Sequence, residues 1–245
     1  MNIMLKLENV TKIYPGAEHI KAVDELSFDL PEGEICTVVG PSGCGKTTAM
    51  KMINRLIPMT SGKIYIDGQN INRLDTIELR RNIGYVIQNI GLFPNMTIAE
   101  NIGVVPKMKG WDKDRITERA ESLLELINLP PEEFMDRYPR ELSGGQQQRI
   151  GVARAMATDP PIMLMDEPFG AIDPINREHL QNEFLKIQEK VKKTIVFVTH
   201  DIDEAIKMGD KICLLKAGKL VQFDAPEIML TEPANDFVRD FLGGD

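Results

Sequence analysis

The segment Gly40–Thr47 constrains this chain more than any other feature of its sequence. It reads G-P-S-G-C-G-K-T and fits the pattern G-x-x-x-x-G-K-[ST]. The preceding run, Glu34–Val39, is apolar almost without interruption, as a strand buried on both faces would be. A helical apolar pattern follows over Met50–Leu56 and stops at Pro58. A strand, this loop and a helix in that order predict a loop that cradles phosphate groups.

Each part of this loop has a chemical task. Its glycines let backbone N–H groups turn inward around phosphate oxygens, and the helix that follows adds the positive end of its dipole. Lys46 is expected to reach the β- and γ-phosphates, and the Thr47 hydroxyl is expected to bind Mg²⁺. A chance glycine turn is the alternative, and the flanking strand and helix argue against it. The candidate nucleotide-contacting residues are Gly40, Pro41, Ser42, Gly43, Cys44, Gly45, Lys46, Thr47 and Thr48.

Two adjacent carboxylates end a second apolar run. Ile162–Met165 reads as a buried strand, and Asp166 and Glu167 follow it directly. Ligands bind at the carboxyl ends of strands in parallel α/β sheets. Asp166 suits Mg²⁺ held through water, and Glu167 suits a general base that polarises an attacking water. The alternative is a pair of solvated acids at a strand end, which a phosphate loop in the same chain disfavours.

A histidine ends a third apolar run. His200 follows the predicted strand Ile195–Thr199, so it is expected at the same sheet edge, where it can sense a γ-phosphate. A lone histidine at a strand end is more often a structural residue. The phosphate loop and the acidic pair favour the catalytic interpretation here.

A second glycine element is Leu142–Gln146, which precedes a helical pattern. Ser143 is a plausible N-cap and Gln146 lies three residues later, so a capping box explains part of it. That explanation leaves Gly144 and Gly145 without a purpose, because glycine in a helix costs about 1 kcal/mol relative to alanine. Bare N–H groups at a helix N-terminus would form a second phosphate site. Two such sites for one nucleotide suggest an arrangement shared by two chains.

The order of the remaining patterns gives the fold class. The first hundred residues contain short strands and hairpins, Leu5–Val10, Leu26–Leu30 and Lys63–Gly68 among them. About residues 89–158 read as mostly helical, and the last third alternates strands with helices, which implies a parallel sheet with crossover helices. We therefore expect one α/β domain with a helical insertion and an antiparallel β element.

Composition excludes several classes of protein. The net charge of −8 and a pI of about 5.1 argue against nucleic acid as a partner. Cys36, Cys44 and Cys213 show no zinc or disulfide spacing, which suits a reducing, cytoplasmic setting. No apolar run approaches the ~18–20 residues that span a bilayer. Membrane association would therefore depend on another subunit.

Four motifs in this order, Gly40–Thr48, Leu142–Gln146, Met165–Pro168 and Thr199–Asp201, resemble the nucleotide-binding subunits of ABC transporters. The resemblance covers essentially all 245 residues. It implies a P-loop NTPase core, with a mostly parallel sheet and flanking helices, plus an antiparallel β subdomain and a helical insertion at about 89–158. All of this would form a single domain over 1–245.

The same resemblance assigns three further residues. Tyr14 matches the aromatic that stacks on adenine, and Gln88 matches the glutamine that touches Mg²⁺ and relays to the membrane subunit. Asp173 matches the loop aspartate after the catalytic glutamate, although an N-cap ahead of a proline explains it equally well. The loop Gly170–Asp173 departs from the family, because many members have Ser and Leu at its first and third positions.

A closer resemblance is to the quaternary-amine branch, whose members import glycine betaine, carnitine, choline or proline betaine. Members of that branch often carry a C-terminal pair of CBS domains, and we expect none in this chain. The less universal segments that carry this resemblance are Lys51–Leu56, Gly84–Gln88, Gly91–Pro94, Met96–Ile102 and Asp201–Ala205.

The expected mechanism is a head-to-tail homodimer with ATP and Mg²⁺ at its interface. Each MgATP would lie between Gly40–Thr48 of one chain and Ser143–Gln146 of the other, with water oriented by Glu167 and His200. Lys46 and Gln88 would complete the catalytic set, with Thr47, Gln88 and Asp166 as metal ligands.

The expected partners follow from this mechanism. A permease helix would enter a groove near Gln88 and the Asn89–Asn101 stretch, and an external substrate-binding protein would act indirectly. The chain would then sit at the cytoplasmic face of the membrane, held there by the permease, with no nucleic acid bound.

Three alternatives stay open at this stage. One is the ATPase of a different importer, and another is an ABC ATPase that acts mechanically on ribosomes or DNA. Those mechanical relatives usually fuse two such domains or insert a coiled coil, and neither is present here. A generic P-loop kinase or GTPase is disfavoured because Leu142–Gln146 has no place in it and no N-K-x-D element appears.

Overall fold

The structure is a computed structural model that describes residues 2–17, 19–88, 91–170 and 172–243. Its strands are β1 (Ile3–Ile13), β2 (Lys21–Pro31), β3 (Ile35–Val39), β4 (Ser61–Ile66), β5 (Gln69–Asn70), β6 (Ile83–Val86), β7 (Ile162–Asp166), β8 (Thr194–Val198), β9 (Lys211–Lys216) and β10 (Lys219–Asp224). Its α-helices are α1 (Lys46–Ile53), α2 (Thr76–Arg81), α3 (Ile98–Met108), α4 (Lys113–Leu126), α5 (Pro131–Phe134), α6 (Gly144–Ala155), α7 (Pro174–Val191), α8 (Ile202–Met208), α9 (Pro226–Thr231) and α10 (Asp236–Phe241).

The chain divides into two compact units. The first comprises residues 1–80 and 193–245, and the second comprises residues 81–192. The helical insertion predicted at about 89–158 falls inside the second unit and corresponds to α3–α6. The second unit also contains β6, β7 and α7, which lie outside the predicted insertion.

The first unit contains the predicted antiparallel element. Its strand order is β2-β1-β4-β5, and every neighbouring pair runs antiparallel. Along β2 the side chains of Val23, Leu26, Phe28 and Leu30 are buried, with exposed residues between them, as one core-facing side of a strand requires. This alternation made the hairpin region recognisable from sequence.

A second sheet in the first unit positions the glycine-rich loop. Its strands lie in the order β10-β9-β3-β8, with β3 parallel to both β8 and β9, and β10 antiparallel to β9. All five residues of β3 are buried, which confirms the prediction that this strand is covered on both faces. The loop therefore leaves from the carboxyl end of an interior strand.

In the second unit, β6 and β7 run parallel, so Val86 and Met165 are paired near their carboxyl ends. The helices each bury an apolar face, with Ala120, Leu123 and Leu124 buried on α4, and Leu180, Phe184 and Ile187 buried on α7. Parallel strands combined with helices and a separate antiparallel sheet confirm the α/β class.

Candidate functional site

The loop between β3 and α1 is held by close backbone packing. Gly40, Gly43 and Gly45 have φ angles of 144°, 76° and 106°, a region that favours glycine. A Cβ at Gly40 would lie 2.1 Å from the carbonyl oxygen of Leu215, and one at Gly45 would lie 2.3 Å from that of Ala22. Both glycines are therefore required by the fold of this unit itself.

Lys46 lies inside this loop. Its ammonium Nζ donates to the carbonyl oxygens of Gly40 at 2.7 Å and Pro41 at 3.2 Å, and its side chain is buried. Gly45 caps α1 without a side-chain hydrogen bond. The first turn of α1 thus carries a positive charge and a helix N-terminus that no capping side chain covers, which is an anion-binding arrangement.

The other predicted residues of the loop differ in exposure. Pro41, Ser42 and Gly43 are exposed, whereas Thr47 and Thr48 are half-buried. Cys44 is buried, and its carbonyl oxygen accepts from the Gly218 N–H at 3.1 Å. The free thiols of Cys36, Cys44 and Cys213 are all buried, and burial raises the pKa of the Cys36 and Cys213 thiols.

Tyr14 and His200 belong to the same unit as the loop. Tyr14 follows β1 and is 41% exposed, and the Lys12 ammonium lies 5.0 Å from the centroid of its ring. His200 follows β8 and is exposed, and Asp201 after it caps α8 by accepting from the Glu204 N–H. Both positions leave a ring accessible to a ligand.

The acidic pair lies in the second unit. Asp166 ends β7, and Glu167 follows with a φ of 46°, an uncommon conformation for a residue with a side chain. The amide Nε2 of Gln88 donates to Glu167 Oε2 at 2.8 Å. This bond orients one carboxylate oxygen of the predicted general base. Burial, reinforced by the Asp166 charge, raises the pKa of the nearby Tyr85 phenol.

The second glycine element forms the capping box predicted for it. Ser143 Oγ accepts from the Gln146 N–H at 3.3 Å, and Gln146 Oε1 accepts from the Ser143 N–H at 2.9 Å. A Cβ at Gly144 would meet no heavy atom within 4 Å, whereas one at Gly145 would lie 3.3 Å from Leu180 Cδ1. Neither has a positive φ. Within the described part of the chain, nothing requires a glycine at 144.

Asp173 takes the N-cap role that was the alternative to its family role. Its carboxylate accepts from the Asn176 N–H at 3.2 Å and from the Asn176 side-chain amide at 2.8 Å, with Pro174 at the first helical position of α7. These bonds hold the pKa of Asp173 below its usual value. Of the departing loop, Ala171 lies outside the described residues.

The site residues are thus distributed over both units. Tyr14, Gly40–Thr48 and His200 belong to the first unit. Gln88, Asp166, Glu167, Ser143–Gln146 and Asp173 belong to the second. The donors predicted for the metal, the Thr47 hydroxyl, the Gln88 amide oxygen and the Asp166 carboxylate, are all oxygen atoms and fit the preference of Mg²⁺.

Sequence reasoning missed a groove between α3 and α4. This apolar cavity of about 560 Å³ is bounded by Met96, Val104, Trp111 and Ile116, among others. The Arg115 guanidinium lies 3.6 Å from the centre of the Trp111 ring. The permease groove predicted near Gln88 and the Asn89–Asn101 stretch overlaps this cavity at Met96, Ala99 and Glu100. Asn89 and Ile90 lie outside the described residues.

Asn101 was also missed as an organising residue. It is fully buried, and its side-chain amide donates to the carbonyl oxygens of Phe93, Met96 and Thr97, while its Oδ1 accepts from the Phe93 N–H at 2.7 Å. The pattern Thr97-x-x-Glu100, a capping box in the structure, was the available signal that a helix starts here.

The model of the ABC transporter family matches residues 23–170. The osmoprotectant import ATP-binding protein OsmV of Salmonella typhimurium is 59% identical over 99% of this chain and 64% of its own length. The glycine betaine/carnitine/choline transport ATP-binding protein OpuCA of Bacillus subtilis is 60% identical over 98% of this chain and 62% of its own length. This chain spans less than two thirds of both relatives.

A solved ATP-binding cassette, MJ0796, in a dimeric post-hydrolysis state bound to ADP and Pi, superposes with a TM-score of 0.78 at 38% identity. That match covers 91% of this chain and 99% of the cassette. A second solved chain, cbiO1 from Clostridium perfringens, shares the fold with a TM-score of 0.85 at 24% identity and 96% coverage of this chain and 93% of its own. No helix in the described ranges is long and apolar enough to cross a membrane.

Proposed function

The chain belongs to the ABC transporter family, and from this premise we propose that it hydrolyses MgATP in a head-to-tail dimer to power solute import through a membrane permease. The observation that carries the nucleotide part is the loop before α1. Its backbone packs closely at Gly40 and Gly45, and its carbonyl oxygens bind the Lys46 ammonium. The loop leads into the N-terminus of α1, which no side chain caps.

Nucleotide binding divides among the predicted residues by their chemistry. The exposed ring of Tyr14 suits adenine, and Lys46 exchanges its loop carbonyls for the β- and γ-phosphate oxygens. Thr47, Gln88 and Asp166 supply oxygen ligands for Mg²⁺. When bound, this ion neutralises charge that develops on the phosphates.

Hydrolysis depends on Glu167 and the groups that orient it. The hydrogen bond from Gln88 fixes Oε2 of this carboxylate, which orients the group that accepts a proton from the attacking water. The positive φ of Glu167 is the kind of backbone strain found at functional sites. His200 completes the set by contacting the γ-phosphate.

The dimer accounts for Gly144. Within the described residues, neither its φ nor the packing of its own chain calls for a glycine, which supports the approach of an outside molecule to its backbone. We assign that approach to the γ-phosphate of an ATP held by the loop of a second chain. The neighbour MJ0796 is described as dimeric, which supports the same arrangement here.

The proposed permease contact is the groove between α3 and α4, with a permease helix as its occupant. Its apolar lining, including Val104 and Trp111, suits an amphipathic helix.

The relatives named for glycine betaine, carnitine and choline support a quaternary amine as the solute, delivered by an external binding protein. The chain would act at the cytoplasmic face of the membrane.

The first experiment measures ATP hydrolysis and oligomeric state together. Purified wild-type chain and the variant Glu167→Gln are followed by phosphate release and by light scattering, with and without MgATP. We expect slow hydrolysis by the wild type and MgATP-trapped dimers of Glu167→Gln, because the amide keeps the shape but cannot take a proton. Glu189→Gln, an exposed position on α7, is the control. Normal turnover by Glu167→Gln would refute the assignment.

A second experiment tests the groove. Val104→Asp is co-expressed with the membrane subunits of a glycine betaine importer, and uptake of labelled betaine and co-purification are measured. We expect uptake to fall at least about tenfold while ATP binding is kept, because a charge in an apolar contact is desolvated without a partner. Ile77→Asp, an exposed apolar position in the other unit, is the control. Pull-down of ribosomes or DNA instead of permease would favour a mechanical ATPase.

A further inference from the structure

Helix α6, which begins with the second glycine element, lies directly against α7. A Cβ built at Gly145 would be 3.3 Å from Leu180 Cδ1, so the first turn of α6 lies close to α7. One turn further along α6, Arg149 Nη1 lies 3.4 Å from Glu183 Oε2. The start of α6 therefore lies close to Leu180 of α7, and one ion pair joins the two helices.

Helix α7 is also attached to the loop that carries the general base. Phe169, two residues after Glu167, packs edge-on against Phe184 of α7, with ring centroids 6.2 Å apart and an angle of 75° between the ring planes. Asp173 then caps the start of the same helix. Phe184 and Glu183 are neighbours in sequence, so the Glu167 loop and α6 are attached to the same turn of α7.

The geometry of the ion pair between Arg149 and Glu183 does not favour a large contribution to the stability of the folded chain. Both side chains are largely enclosed, with 20% of Arg149 and 15% of Glu183 exposed. Among the described residues, Glu183 Oε2 nevertheless accepts no hydrogen bond and Arg149 Nε donates none. Arg149 Nη1 donates to the Ile127 carbonyl at 3.1 Å, and His179 Nε2 lies 3.4 Å from Glu183 Oε1. An enclosed pair of this kind contributes little stability compared with apolar residues, so stability alone does not explain it.

We propose that Arg149 and Glu183 are a positioning pair that holds the phosphate-facing turn of α6 in register with the Glu167 loop of the same chain. This inference rests on the dimer proposed above. In that dimer, Glu167 of one chain acts on one ATP while its α6 turn contacts the other. The pair therefore couples the two nucleotides, so that engagement of one aligns the carboxylate that hydrolyses the other.

The test uses Glu183→Gln, which keeps the shape of the side chain and removes its charge, and Arg149→Lys, which keeps the charge and loses the planar fork. In the Glu167→Gln background, light scattering gives the ATP concentration for half-maximal dimer formation, and a fluorescent ATP analogue gives monomer affinity. In both variants we expect the ATP concentration for half-maximal dimer formation to rise about tenfold. The affinity of the monomer for the ATP analogue should stay unchanged, because neither substitution alters the loop before α1. With Glu167 intact, the Hill coefficient for ATP hydrolysis should fall from near two towards one.

Two comparisons separate positioning from general loss of structure. Glu133→Gln removes the exposed ion pair, 3.8 Å long, between Glu133 of α5 and Arg137, and it should change neither dimerisation nor the Hill coefficient. Combining Arg149→Lys with Glu183→Gln should be no worse than the stronger single variant, as expected for residues that act together.

Four outcomes decide the inference. Unchanged dimerisation and cooperativity in Glu183→Gln would overturn the pair, and so would additive effects in the double variant or an equal effect of Glu133→Gln. Failure of the parent Glu167→Gln to form dimers would instead overturn the proposed function, and the pair with it.

Discussion

In the loop before α1 the chain itself requires glycine, whereas nothing in the described residues requires it at Gly144, the first residue of α6. Gly40 and Gly45 have positive φ angles and backbone carbonyls within reach of any added Cβ. Gly144 has open space on its side-chain position. Both elements present helix N-termini, but Gly45 caps its helix without a side chain, while Ser143 and Gln146 cap theirs reciprocally.

This difference separates a preformed site from an incomplete one. The loop before α1 has its conformation and its Lys46 charge fixed by contacts within one unit. The turn at α6 caps its own backbone with the side chains of Ser143 and Gln146, and it leaves open space at the side-chain position of Gly144. Glycine therefore serves the fold at the first element, and we propose that it serves a partner chain at the second.

The largest expected effect is that of Gly40→Ala. The added Cβ would overlap the Leu215 carbonyl, which lies 2.1 Å away, at a φ of 144°. We expect ATP affinity to fall at least about 100-fold and the free energy of unfolding to fall by about 3 kcal/mol or more. Titration with a fluorescent ATP analogue and urea unfolding measure the two effects.

Gly43→Ala is the matched control for that variant. Its φ is also positive, at 76°, but no heavy atom lies within 4 Å of the added Cβ. Its free energy of unfolding should fall only by the conformational cost of a positive φ, about 1–2 kcal/mol. Equal effects of the two variants would show that close packing is not what shapes the loop.

Gly144→Ala should move stability and dimerisation in opposite directions. Alanine favours the helix by roughly 0.5–1 kcal/mol, and the surrounding space accepts a methyl group. The methyl would also separate the backbone from the phosphate of the second chain, so the ATP needed to form Glu167→Gln dimers should rise about tenfold. Unfolding in urea and light scattering measure these effects. Unchanged dimerisation of the Gly144→Ala variant would contradict the proposal that Gly144, unlike Gly40 and Gly45, serves a second chain.

Ser143→Ala and Ser143→Gly test the self-capping of the α6 turn. Loss of the hydroxyl leaves the Gln146 N–H without its acceptor, and alanine at an N-cap costs about 1 kcal/mol, while glycine costs only a few tenths. Urea unfolding should rank the wild type above Ser143→Gly and Ser143→Ala below both. If all three proteins unfold at the same urea concentration, the capping box does not stabilise the folded chain. The N-terminus of α6 would then resemble that of α1 in having no effective side-chain cap.

The smallest expected effect concerns pH. The bonds from Asn176 lower the pKa of Asp173 in the folded chain, so its contribution is complete above the usual aspartate pKa of about 4. That contribution is lost as pH falls through the lower, folded-state pKa. Acid unfolding of Asp173→Asn should therefore depend on pH slightly less than the wild type below about pH 4. Identical acid profiles would show that this cap does not titrate with unfolding.

Local patterns made much of the fold and of the candidate site predictable. The buried strand β3, the loop after it and the capping box at Ser143 depend on residues within a few positions of one another. The N-cap role of Asp173 was visible as one of two explanations, because Pro174 follows it directly. Short-range rules of conformation suffice for such features.

Features that join distant parts of the chain were not predictable in this way. Asn101 looks like an ordinary helix residue in sequence, yet it is buried and bonded to the turn before α3. Arg149 and Glu183 each occupy an unremarkable position of their own helix. Their pairing depends on how α6 packs against α7, about which one sequence carries no direct signal.

The sequence by itself determined which groups are available: the glycine-rich loop with Lys46, the carboxylates Asp166 and Glu167, and the Ser143–Gln146 turn. Local conformational preferences and the chemistry of side chains fix these within a few residues. Only the tertiary structure decided which glycines the chain needs for its own packing, that Gln88 holds Glu167, and that α7 joins two functional elements. Those properties are distances between residues far apart in the chain, and they exist only once the helices and strands have packed.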